Sequence, residues 1–114
     1  MSRGSIWTAD LEPAQGREAN KVRPVLLVGR DALIRRALAD GGTVTVAPLT
    51  TSIAKVFSFQ VLLPAERSGL PRDSKVQAEQ LRTVSTARLL AQVGQIDEDL
   101  NVEVDEAIRV YLGL

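Results

Sequence analysis

Apolar and polar residues alternate from Ile6 to Leu11, and this period of two predicts a half-buried strand ending at Glu12-Pro13. Residues 12–22 are polar, contain Pro13 and Gly16, and read as a loop. Residues 24–28 form a short β-branched-rich apolar run, the pattern of a buried strand, which stops at Gly29. Asp31 is placed to cap a short helix through Leu38, ended by Asp40-Gly41-Gly42. The strand pattern resumes over residues 43–47, and Pro48, having no N–H to donate, predicts a strand end or bulge. Another strand is expected over 57–63, closed by Pro64. Residues 75–85 read as a strand with a bend, Thr86 as the cap of a helical turn over 87–90, and 92–96 as a short strand. The period then changes. Leu100, Val104, Ala107, Ile108 and Tyr111 recur at spacings of three and four, the stripe of an amphipathic helix with Asp97 as its N-cap. Acids in its early turns and Arg109 near its end both complement the helix dipole.

Short strands, one internal helical insertion and a terminal helix predict an α+β fold, a strongly bent antiparallel sheet or small barrel. The 114 residues leave room for one domain, 1–114, because domains commonly run to ~100–150 residues. No apolar run approaches the ~20 residues of a membrane span, and the first ten residues lack the layout of a signal peptide, so no membrane partner and a cytoplasmic location are expected.

Cysteine and histidine are both absent. Disulfides, thiolate metal sites, histidine zinc sites, Ser-His-Asp triads and two-histidine nuclease mechanisms are thereby excluded. Acid-base chemistry must fall to carboxylates, Lys, Arg, Tyr, hydroxyls or the backbone. The net charge of zero conceals an asymmetry: residues 97–106 hold six acids and no base, so residues 1–96 carry thirteen bases against eight acids. Arg17, Lys21, Arg23, Arg30, Arg35 and Arg36 concentrate that excess within twenty residues. Such a cluster suits a phosphate backbone, and it is equally the composition of a solvated loop and helix face.

Three blocks carry a family likeness. The first runs from Arg3-Gly4-Ser5-Ile6-Trp7 through Leu11-Glu12-Pro13 and Gly16-Arg17-Glu18 to Val22-Arg23-Pro24-Val25. Val46-Ala47-Pro48-Leu49-Thr50-Thr51 is the second and Glu79-Gln80-Leu81-Arg82-Thr83 the third. In this order they resemble the MazF/PemK toxin-antitoxin ribonucleases, on the MazF side, since the histidine of PemK-type members is replaced by Arg17 and their arginine-x-aspartate pair by Gln77-Ala78-Glu79. The resemblance implies an SH3-like barrel that forms a homodimer, cleaves single-stranded RNA without metal or cofactor, and is neutralised by a MazE-like antitoxin.

RNA carries its own nucleophile, the 2′-hydroxyl, so such an enzyme has to orient it, accept its proton and stabilise charge on the phosphate. Arg23 matches the family's central arginine, and its planar fork can hold two phosphate oxygens; an ion pair with Glu18 or Glu12 is the plainer reading. Thr50 matches the active-site threonine, with Thr51 as the register-shifted candidate, and either hydroxyl could instead bond its own loop. Glu18 has two roles open to it, general base or orienter of Arg23. Arg17, Lys21, Thr51, Gln77 and Glu79 are candidate RNA contacts, with an Arg82 ion pair as the alternative for Glu79. Trp7, inside a strand pattern, is expected in the core rather than against a base. Two other functions fit a similar barrel: a CcdB-like toxin that binds DNA gyrase, and a non-catalytic SH3-like RNA-binding domain.

Overall fold

A computed structural model describes residues 3–11 and 22–114. Seven strands form an antiparallel sheet: β1 (Ser5–Asp10), β2 (Val22–Val28), β3 (Thr43–Thr50), β4 (Gln60–Leu63), β5 (Ser74–Gln77), β6 (Arg82–Ser85) and β7 (Leu89–Gln95). Helices α1 (Asp31–Asp40), α2 (Ala65–Ser68) and α3 (Glu98–Leu112) complete the fold. The strands run in the order β4-β5-β3-β2-β1-β7, and β6 also pairs with β3.

The apolar run at residues 25–28 is explained by burial on both faces. Leu26 and Val28 join Ile6, Leu49, Val76, Ile96, Leu100 and Val104 in the core beneath α3. Val25 and Leu27 point the other way, into a second cluster with Ala9, Ile34, Val44, Val46 and Val84 beside α1. Trp7 packs against that second cluster, as expected of a core residue, and its indole N–H donates to Ser5 Oγ at 3.0 Å. Both long helices end at a glycine in the left-handed region, Gly41 at φ 79° and Gly113 at φ 75°. Asp97 caps α3, its carboxylate accepting from the Leu100 N–H at 2.9 Å. That hydrogen bond, followed by the neighbouring Arg67 guanidinium, holds the Asp97 pKa below its ordinary value. At the other side of the helix, Arg3 pairs with Asp105, which raises the Arg3 pKa and ties the start of the described chain to α3.

Several sequence expectations need correction. Asp31 does not cap α1: Arg30 occupies that position without a side-chain bond, while Asp31, in the first turn, accepts from the Arg3 N–H and pairs with Arg35 one turn on. Strand β3 does not end at Pro48. One flank of β3 carries β6 as far as Val46 and β5 from Leu49, so Ala47-Pro48 falls in the gap between two ladders, where a missing donor breaks no bond on that flank. Residues 57–59 are not strand but a turn closed by the Gln60 N–H on the Phe57 carbonyl. The bend within 75–85 is a single 3-10 turn, Ala78–Gln80. Ser85, not Thr86, caps the next turn, which gives way at Leu89 to a β7 that begins three residues earlier than expected.

Candidate active site

The N-terminal end of β2 meets the C-terminal end of β3, and there the chain leaves a cleft of about 290 Å³ lined by Val22, Arg23, Pro24, Leu49, Thr50, Thr51 and Ser74. Strand pairing sets its geometry. The β2–β3 ladder ends at the Val25–Pro48 pair, and Arg23 and Thr50 lie two residues beyond it on their respective strands, both lining the cleft. Thr50 in turn faces Lys75 of β5. Thr50 and Lys75 face each other on one side of the sheet, where facing Cβ atoms lie roughly 4.5–5.5 Å apart, and with Arg23, just past the end of the β2–β3 ladder, they make a row across three adjacent strands.

Each member of the row is held differently. Arg23 is exposed, and its backbone is fixed on one flank, where it faces Ala9 of β1. Pro24 follows it and keeps Arg23 extended, the conformation the strand needs. Thr50 Oγ1 accepts from the Ser52 N–H at 3.2 Å, the local loop bond foreseen as its plainer role. That bond uses an acceptor lone pair and leaves the hydroxyl proton free to be donated, so structural and chemical roles coexist in one side chain. The lining contains a single charged residue, Arg23, and no acid among the described residues. An arginine fork beside a hydroxyl donor suits a tetrahedral or pentacoordinate oxyanion, with two N–H donors and one O–H donor converging.

The remaining candidates separate. Gln77 and Glu79 do not line the cleft. Gln77 faces Gln60 across β4 and β5, and Glu79 Oε2 accepts from Gln60 Nε2 at 2.8 Å, so the partner of Glu79 is Gln60 rather than the Arg82 considered from sequence. Glu79 Oε1 is buried with no hydrogen-bond partner. Arg17, Glu18 and Lys21 lie outside the described residues. Ser74 and Lys75 were not singled out from sequence. The signal was a polar pair opening an otherwise strand-like run, and it acquires meaning only through pairing with β3. A larger depression of about 490 Å³ lies between α1 and α3, lined chiefly by apolar side chains such as Leu33, Ile34, Val44 and Ile108. It brings none of the candidate residues together, so the smaller cleft is the candidate site.

Residues 2–112 match the family described as "PemK-like, MazF-like toxin of type II toxin-antitoxin system". The chain belongs to this family. It is 46% identical over 115 residues to "Endoribonuclease MazF9" of Mycobacterium tuberculosis, covering all of this chain and 98% of that protein. Its fold is similar to that of "Mycobacterium tuberculosis toxin MazF-mt6", with a TM-score of 0.77 and 27% identity over 96% of this chain and 97% of that one. It is also similar, at TM-score 0.76 and 20% identity over all of this chain and 96% of the other, to "Endoribonuclease in complex with its cognate antitoxin from Mycobacterial species". The family match accounts for the three sequence blocks, of which Val22-Arg23-Pro24 from the first and Leu49-Thr50-Thr51 from the second line the cleft.

Proposed function

We propose that this MazF-like toxin is an endoribonuclease that cleaves single-stranded RNA at the Arg23–Thr50 cleft, without a metal ion. The observation that carries it is the cleft where the ends of β2 and β3 meet, whose lining brings Arg23 and Thr50 together. The 2′-hydroxyl oxygen attacks the adjacent phosphorus, its proton passes to a base, and the bond from phosphorus to the 5′-oxygen breaks as that oxygen gains a proton. Arg23 holds the equatorial oxygens as their charge rises, and Thr50 donates its proton to one of them. Glu18 is either the base or the residue that orients Arg23, and Arg17 and Lys21 hold flanking phosphates. Arg23 itself is assigned no proton transfer, because an arginine pKa above ~12 makes it a poor acid.

The finer architecture is an SH3-like barrel. Supporting it, the one strand β3 takes part in ladders with β2, β5 and β6, as a strand shared between two bent sheets would. The chain acts as a cytoplasmic homodimer. Strand β7 is an outer strand whose exposed Leu90 and Val93 leave an apolar edge for a second copy to cover. A MazE-like antitoxin with an acidic segment occupies the RNA-binding surface and blocks it.

The test is incubation of the purified protein with single-stranded RNA in EDTA. Discrete fragments are expected, the upstream one ending in a 2′,3′-cyclic phosphate and the downstream one in a 5′-hydroxyl. Cleavage at a nucleotide carrying 2′-deoxyribose would rule out the nucleophile, and a strict need for magnesium would rule out the metal-free route.

A further inference from the structure

Lys75 is the only charged side chain buried among the described residues, at 8% exposure, and it stands next to Thr50 in the cross-strand row. An ammonium withdrawn from water is costly unless its protons are bonded. Its hydrogen-bond partner among the described residues is a backbone oxygen, the Lys55 carbonyl, at 2.6 Å. That carbonyl belongs to the segment leaving β3 at Thr50 and re-entering the sheet at Gln60. A second tether lies further along: the Phe57 N–H donates to Gln60 Oε1 at 3.1 Å, and Gln60 is itself held by Glu79. The segment begins with Thr51, which lines the cleft, so the Lys75 bond anchors a stretch of chain that starts at the cleft wall.

This stretch is chemically unusual for the chain. Only four aromatic residues occur in the sequence, and two of them stack here, Phe57 on Phe59, with ring centroids 5.3 Å apart and planes 5° from parallel. Lys55 Nζ lies 5.3 Å from the Phe57 ring centroid, and Phe57 is 46% exposed. An exposed ring with an ammonium beside it is what a base and its phosphate require of a single-strand platform. Phe57 follows the anchored Lys55 carbonyl by two residues, at most ~7 Å of chain, so the Lys55 anchor and the Gln60 tether together set the position of the ring, and releasing the first loosens it.

We propose that Lys75 is a positioning residue for RNA selection: by holding the Lys55 carbonyl, it sets the Phe57 ring against the nucleotide flanking the scissile phosphate. The proposal rests on the ribonuclease reading above and assigns to that site how it chooses among RNA sequences. Lys75 acts through this segment and does not touch the reacting phosphate. Removing its ammonium therefore blurs selection and weakens binding while leaving the Arg23–Thr50 chemistry in place.

The experiment compares wild type, Lys75→Met, Lys75→Arg and Phe57→Ala. Cleavage ends are mapped by sequencing on a pooled RNA, kcat and KM are measured on the preferred site, and limited trypsinolysis is followed by mass spectrometry. Lys75→Met is expected to widen the set of sequences cut and to raise KM about tenfold, the scale of one lost stacking contact, with kcat nearly unchanged. Cutting at the Lys55–Val56 bond should accelerate, because the carbonyl is no longer held. Lys75→Arg, which keeps a donor, should recover part of the selectivity. Phe57→Ala, an exposed substitution that leaves the core intact, should widen the same set of sites even if Lys75→Met does not fold. An unchanged site spectrum in Phe57→Ala, or in folded Lys75→Met, overturns the proposal. So does a fall in kcat at constant spectrum, the signature of direct phosphate contact. Should the wild type cut no RNA, the ribonuclease reading fails, and the tryptic arm decides by itself whether Lys75 clamps the segment.

Discussion

Replacing Arg23 and Thr50 singly and together tests the central geometry. Both residues line one cleft, each two positions past the Val25–Pro48 pair that ends the β2–β3 ladder. The cleft they share is small, about 290 Å³, so the two can reach oxygens of the same phosphate. Arg23 is exposed, so Arg23→Ala should change folding stability by no more than about 0.5 kcal/mol, the usual range for a surface substitution. Its effect on cleavage should be far larger, a loss of about 100- to 1000-fold in kcat, the scale of deleting one anion-stabilising donor. Arg23→Lys should recover only part of this, because a point charge cannot reproduce a two-pronged fork. Thr50→Val removes a neutral donor and the acceptor of the Ser52 N–H, and a loss of about tenfold follows from a hydrogen bond of roughly 1.5 kcal/mol. Because both groups serve one oxyanion, the double variant should lose less than the product of the single losses, with a coupling of at least ~0.5 kcal/mol. The assay is single-turnover cleavage of a fluorescent RNA carrying the preferred site, with thermal melts on each variant to establish folding. Near wild-type turnover by folded Arg23→Ala would refute the assignment, and strictly multiplicative losses would refute the shared phosphate.

Three further outcomes are expected. A peptide copying the acidic C-terminal segment of the antitoxin should compete with RNA, and competition should weaken as salt rises; simultaneous, salt-independent binding of both would contradict a shared surface. Asp97 has a folded pKa below its unfolded one, so its stabilising contribution is present above ~3.9 and is lost as pH falls through the lower, folded value. Asp97→Asn keeps a capping side chain, so its acid melting curve should fall less steeply than that of wild type below that point, and parallel curves would remove Asp97 from the acid transition. A Cβ at Gly94 would overlap the Ser68 carbonyl oxygen of α2, so Gly94→Ala should cost about 1–3 kcal/mol in urea unfolding, the usual cost of overpacking, and an unchanged midpoint would show that α2 yields freely.

The α+β class, the terminal helix with its Asp97 cap, and the strands at residues 6–10, 24–28 and 43–47 were legible because each depends on residues near in sequence. A period of two or of three and a half is a local record of which face meets the core, and a cap bonds an N–H three residues away. The errors fall where a partner distant in sequence decides. Pro48 lies inside β3 because its neighbour on one flank changes from β6 to β5 beside it. Phe57 has strand-like composition yet stands in a turn held by the side chain of Gln60, which is itself held by Glu79, nineteen residues further on.

The candidate site divides in the same way. Arg23 and Thr50 could be named from the chain alone, because the chemistry of RNA cleavage calls for their side chains and the family blocks mark their positions. Their juxtaposition could not: twenty-seven residues separate them, and only the antiparallel pairing of β2 with β3 brings them to one cleft. Lys75 shows the limit most clearly. In the sequence it is one of fourteen basic residues, and it becomes singular only when β5 pairs with β3 and buries its ammonium under the residue 51–59 segment. Sequence alone determined which side chains and local conformations were at hand, since these follow from bonded chemistry and short-range sterics. Tertiary structure alone decided which of them share a cleft, because that depends on strand register, a property of two segments at once.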